Sequence, residues 1–82
     1  MAMNAEFNQV TVYVYLLDEG VDVWRPVQAK HLGGDEYEIQ SINPDPEVES
    51  WQFHTGDRVR CKLKRFHEGE ELAAYELVQR SA

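Results

Sequence analysis

Cysteine is nearly absent: Cys61 is the single thiol in 82 residues, so no internal disulfide can form. A secreted chain this short usually leans on several bridges, so a reducing, cytoplasmic setting is expected. Basic residues are scarce as well. Eight Lys and Arg stand against 15 Asp and Glu, for a net charge of −7. That balance disfavours general attraction to nucleic acid or to an anionic membrane. The longest apolar-plus-tyrosine run, Val12 to Leu17, is far too short to span a bilayer. Met1 to Glu6 lacks the basic start and apolar stretch of a secretory leader, so none is expected. There are no repeats and no low-complexity segments. Gly33-Gly34 is a bare pair with no Lys-Ser/Thr after it, so it is not a phosphate-cradling loop.

Catalytic and metal chemistry is equally thin. His31, His54, Cys61 and His67 match no ligand spacing, so neither a metal nor another cofactor is expected. Cys61 falls at an inward position of an alternating strand, where a thiol packs as a small apolar group and stays inert. The carboxylates gather in turns: Asp18/Glu19, Asp35/Glu36, Asp45/Glu47 and Glu70/Glu71. Turn acids are ordinarily solvated. The expectation is a protein that is not an enzyme.

What is present is a compact set of strand signals. Hydrophobic residues make up 43% of the chain and nine are aromatic, four Tyr, three Phe and two Trp, enough for one small core. A chain this short buries only roughly 60% of its unfolded surface, so its stability should be marginal. Residues 1–9 lack periodicity and read as a flexible tail, with Phe7 able to dock on the body. Residues 10–78 read as one domain and 79–82 as a C-terminal tail.

Six strands are expected. Val10 to Leu17 is β-branched and aromatic, with Val10, Val12, Val14 and Leu16 on one face and Tyr13 and Tyr15 on the other. Asp18-Glu19-Gly20 is turn chemistry. The second strand spans Val21 to Leu32, with Pro26 marking an edge or bend. A three-residue loop at Gly33-Gly34-Asp35 pairs Leu32 with Glu36, His31 with Tyr37, Lys30 with Glu38, Ala29 with Ile39 and Val27 with Ser41. This register buries apolar groups together and pairs opposite charges. The third strand, Glu36 to Ile42, runs into the proline-marked loop Asn43 to Glu47. A fourth, Ser50 to His54, points Trp51 and Phe53 inward. The fifth, Asp57 to Phe66, places Val59, Cys61 and Leu63 inside and Arg58, Arg60, Lys62 and Lys64 outside. The sixth, Glu71 to Val78, carries residues that also favour helix. Strand is preferred there, because a turn at Glu68-Gly69 pairs Leu63 with Ala74, Val59 with Val78 and Arg65 with Leu72.

Short strands with regular turn signals point to an all-β fold, a small antiparallel barrel of five to six strands. Phe53-His-Thr-Gly-Asp-Arg-Val-Arg60 resembles the entry to a strand in many SH3-like barrels, which implies that architecture. An OB-like barrel is the runner-up. Val14-Tyr-Leu-Leu-Asp-Glu-Gly20 and Asp22-Val-Trp-Arg-Pro-Val-Gln-Ala29 are similar to stretches in small, uncharacterised bacterial proteins. The resemblance covers about Val10 to Val78 and implies no particular activity.

Two surfaces compete as binding sites. If the first hairpin pairs Tyr15 with Trp24 and Tyr13 with Pro26, these four residues form an outer patch suited to an extended peptide. That register turns Arg25 inward beside the valines. A three-residue loop would instead put Trp24 into the core against Val14, and the sequence leaves both open. The second surface is the basic row Arg58, Arg60, Lys62 and Lys64, spaced about 6.6 Å apart on one strand face. Beside it Lys62 faces Tyr75 and Arg60 faces Leu77. A cationic row next to an aromatic is what single-stranded nucleic acid binding uses. It is also what the solvated face of an ordinary edge strand looks like. Charge sharpens the contrast, since residues 1–57 hold 2 basic and 11 acidic side chains and residues 58–82 hold 6 and 4. The acidic surface of residues 18–49 serves solubility or steers a basic partner. The leading expectation is a non-enzymatic protein-interaction module with a protein partner. RNA or single-stranded nucleic acid binding through the basic strand is the alternative.

Overall fold

Alternating valine and tyrosine fit a pleated, half-buried surface. In the computed structural model, which describes residues 8–81, they form β1 (Gln9–Leu17). Next come β2 (Trp24–Gly33), β3 (Glu36–Ile39), β4 (Ser50–Trp51), β5 (Arg58–Phe66) and β6 (Gly69–Gln79). The described residues contain no α-helix, so the Glu/Leu/Ala-rich segment 70–78 is strand, within β6. Most of the expected N-terminal tail, Phe7 included, lies outside the described residues. β1 starts at Gln9 and β6 reaches Gln79, one residue beyond the expected domain at either end.

Five strands close into a ring. β1 pairs with β2, β2 with β3, β3 with β5, β5 with β6, and β6 returns to β1. The architecture is a small all-β barrel in which neighbours around the ring run antiparallel, except at one place. β6 meets β1 in parallel, at Tyr13 and Ala73. An up-and-down ring of five strands has its first and last strands pointing the same way, so its closing contact is necessarily parallel. β4 lies on the same edge of β1, at Leu16 and Leu17.

The core follows the alternation. Val12, Val14 and Leu16 of β1, Val27 and Ala29 of β2, Tyr37 and Ile39 of β3, and Val59 and Cys61 of β5 are buried together, with Trp51, Phe53 and Ala74. The second hairpin keeps Ala29 opposite Ile39, Lys30 opposite Glu38 and His31 opposite Tyr37. Leu32 does not pair with Glu36; a bulge inserts one residue and Gly33 takes that place. β3 stops at Ile39, and Ile42 is 76% exposed. β4 is shorter than expected, but Phe53 beyond it is still buried.

The last hairpin differs most from expectation. Its two-residue turn is His67-Glu68, so Phe66 pairs with Gly69, Leu63 with Leu72, Lys62 with Ala73 and Cys61 with Ala74. A register shift between Arg60 and Cys61 brings Arg60 opposite Glu76 and Val59 opposite Leu77, and a second between Arg58 and Val59 brings Arg58 opposite Gln79. The expected pairs Leu63–Ala74, Val59–Val78 and Arg65–Leu72 are not formed. β3 pairs with β5 only at Arg58 to Arg60, so the turn end of the hairpin extends past the ring. Leu63, expected inside, is therefore 63% exposed.

Asp57 holds the turn that feeds β5. It is 1% exposed, and its carboxylate accepts the backbone N–H of His54 and that of Ser81, each at 2.8 Å. A buried carboxylate is tolerable when charge-assisted bonds satisfy it. Gly56 beside it has φ +87°, and a Cβ there would stand 2.5 Å from Ser81 Oγ. The Gly-Asp pair thus fastens the C-terminal end of the chain to the barrel.

Candidate functional site

The first hairpin adopts the register that places its aromatics outside: Tyr15 opposite Trp24 and Tyr13 opposite Pro26. β3 pairs with β2 only from Ala29 to Gly33. Pro26 therefore sits where β2 has one strand neighbour, and a residue without an N–H fits there. Arg25, opposite Val14, avoids burial by reaching to Glu49 in a bidentate ion pair. The Glu49 carboxylate also accepts the indole N–H of Trp51 at 3.1 Å. Those hydrogen bonds, Arg25 first and Trp51 next, hold Glu49 below the usual carboxylate range. Trp51 is thereby buried as a ring with its one polar group satisfied.

Trp24 is half-buried in an outer aromatic layer. Its ring lies 5.2 Å from Tyr15, edge-on, and 5.7 Å from Phe66, again edge-on. Phe66 in turn lies 4.8 Å from Tyr13. Edge-to-face and offset pairs at these separations suit the ring quadrupoles. The Tyr15 hydroxyl donates to Asp22 at 3.0 Å, and this bond to a carboxylate raises its pKa.

Phe66 is the site residue that sequence reading missed. It shares strand parity with Lys62 and Lys64, and that signal was available. What local pattern does not reveal is that the β5–β6 turn brings this face onto β1 and β2. Lys64 follows it. Its ammonium stands 5.3 Å from the Trp24 ring centroid and 5.8 Å from that of Phe66, within cation–π range. The aromatic patch and one end of the basic row are therefore one continuous surface.

The rest of the basic row does not act as a unit. Arg60 is engaged by three carboxylates, Asp35 at 3.0 Å, Glu76 at 3.2 Å and Glu36 at 3.7 Å. Asp35 is the main cause of its raised pKa. Lys62 does reach Tyr75, 4.7 Å from the ring, although its ladder partner is Ala73. Tyr75 sits in the bulge between the residues paired to Cys61 and Arg60. Arg60 faces Glu76, not the expected Leu77. Arg58 lies at the far end of β5, where it lines a polar cleft of about 240 Å³ with Glu38, Gly56, Gln79, Arg80 and Ser81. That cleft shares no residue with the aromatic layer.

Burial, and secondarily the Asp35 charge, pushes the Cys61 thiol up to about 12. Almost none of it is thiolate near neutral pH, so it is a core side chain here. Among the described residues no group of three or more His, Cys, Asp and Glu is placed to hold a metal ion. Nor is any helix long and apolar enough to cross a membrane. No protein-family model, curated protein or solved structure matches the chain.

Proposed function

We propose that the chain is a non-enzymatic protein-interaction module whose outer aromatic layer docks an extended segment of a protein partner. The surface comprises Tyr13, Tyr15, Trp24, Pro26, Phe66 and Lys64. The observation that carries this reading is the contiguity of four rings, from β1, β2 and β5, on the outside of a barrel whose core is already filled. Rigid aromatic anchors lose little conformational entropy on binding and dominate interface energetics. Half-buried, outward-facing tyrosine and tryptophan beside an exposed proline suit extended peptides. The single buried thiol fits a reducing, cytoplasmic setting.

The second reading, binding of RNA or single-stranded nucleic acid, draws on Lys62 over Tyr75 and Lys64 over Trp24, cations beside rings. It is weaker because Arg60, central in the row, is neutralised by three acids and the chain is acidic throughout its first 57 residues. Affinity capture from lysate, with and without nuclease, separates the two. Recovery of one defined protein that survives nuclease and is lost with Trp24→Ala supports docking. Recovery of ribonucleoproteins that collapses with nuclease supports the basic strand.

A further inference from the structure

Next to the aromatic layer the turn of the last hairpin encloses a cleft of about 210 Å³, lined by Tyr13, Phe66, His67, Glu68, Gly69 and Glu71. Its chemistry is specific. Tyr13 and Phe66 line it with aromatic surface, which favours a cation, and Glu68 and Glu71 add negative charge. Neither Glu68 nor Glu71 is in an ion pair among the described residues. Lys64 is the ladder partner of Glu71, but its ammonium lies over Trp24 and Phe66, which leaves the Glu71 carboxylate to another partner. The volume is below the roughly 300–1,000 Å³ of ordinary small-molecule sites, so it suits one long side chain rather than a cofactor.

We propose that this cleft takes the ammonium or guanidinium group of a lysine or arginine side chain on a basic segment of the protein partner. The proposal rests on the docking reading above and gives that partner a charge. An anionic group is repelled by the two carboxylates. An uncharged one would strip water from them on docking and offer nothing in return. The net charge of −7 adds long-range attraction for a basic segment.

The test is an NMR titration of the isotopically labelled full chain with four short peptides of sequence Gly-Pro-Xaa-Pro-Gly. Xaa is lysine, arginine, norleucine or glutamate. The Gly69 amide reports the cleft and the Trp24 indole N–H reports the aromatic layer. The lysine and arginine peptides should move Gly69 and bind about fivefold to tenfold tighter than the norleucine peptide. That preference should vanish in the double variant Glu68→Gln, Glu71→Gln, whose spectrum also shows that it is folded. Equal binding of norleucine, a preference that persists in the double variant, or no response at Gly69 overturns the cleft assignment. The two readings can fail separately. Charge-independent shifts of the Trp24 indole without Gly69 retain the docking surface and remove the cleft. Charge-dependent shifts at Gly69 without Trp24 retain the cleft and remove the wider surface.

Discussion

The Lys64 ammonium lies 5.3 Å from the ring of Trp24. These residues come from two hairpins 40 positions apart in sequence, and their contact merges an aromatic patch and a basic strand into one surface.

Trp24 is partly exposed whereas Trp51 is buried. Acrylamide quenching should therefore resolve two tryptophan classes, one accessible and one protected. Trp24→Phe should remove the accessible class and leave the protected one. A single protected class in the native protein would place Trp24 in the core and dissolve the proposed surface.

Core and surface residues of similar chemistry should separate widely. Ile39 is fully buried and Ile42 is 76% exposed. Ile39→Ala should cost about 2–5 kcal/mol by urea denaturation. Ile42→Ala should stay within about 0.5 kcal/mol.

The Asp57 carboxylate satisfies the backbone N–H groups of His54 and Ser81. Asp57→Ala leaves both without that acceptor, and a loss of about 3 kcal/mol is expected. Hydrogen exchange at the Ser81 amide should accelerate more than at Val59 in the same variant. Unchanged protection at Ser81 would mean that the C-terminal end is held by something else.

Stability against pH should carry the mark of Glu49. Its carboxyl is lowered in the folded state by Arg25 and then Trp51. Its contribution is fully present above the ordinary carboxylate value, about 4.3, and is lost as pH falls through the lowered folded value. Glu49→Gln should flatten the acid limb of the urea midpoint–pH curve below about pH 4.3 and leave its shape near neutrality unchanged. An acid limb identical to wild type would remove Glu49 from the account.

Cys61 should resist thiol reagents in the native protein, because burial holds it protonated with a pKa of about 12. Modification by Ellman's reagent should proceed only on unfolding in urea. Rapid stoichiometric reaction under native conditions would reopen a role for this thiol.

Much of the fold was legible because neighbouring residues state their own preferences. Ala29 with Ile39 and Lys30 with Glu38 pair apolar with apolar and base with acid, and the second hairpin takes that register. Other features depend on partners that local pattern does not reveal. Arg25 escapes burial through Glu49, 24 residues on, and that distant ion pair is compatible with the register that turns Tyr15 and Trp24 to the outer face. The last hairpin turns one residue earlier than expected, and its two bulges shift the register between Arg58 and Cys61. Bulges have no signature in hydrophobic alternation, so the partner of Val59 was misread; Leu63 keeps the parity of Val59 and Cys61 but lies where the hairpin extends past the ring. The candidate residues Tyr13, Tyr15, Trp24 and Pro26 were visible as types and parity. Their union with Lys64 through Phe66 depends on how a β-turn folds over a neighbouring sheet face, which alternation does not encode.

The central claim is that this merged surface binds a protein. Its most direct test is the affinity of the partner recovered by nuclease-resistant capture, measured by calorimetry against wild type, Trp24→Ala, Phe66→Ala and Arg58→Ser. Truncating a central aromatic anchor should cost about 2–4 kcal/mol, a loss of roughly 30-fold to 1,000-fold. Arg58→Ser, at the far end of β5, should bind about as wild type does. Undiminished affinity in folded Trp24→Ala and Phe66→Ala, with loss in Arg58→Ser, would contradict the account and move the site to the opposite end of β5.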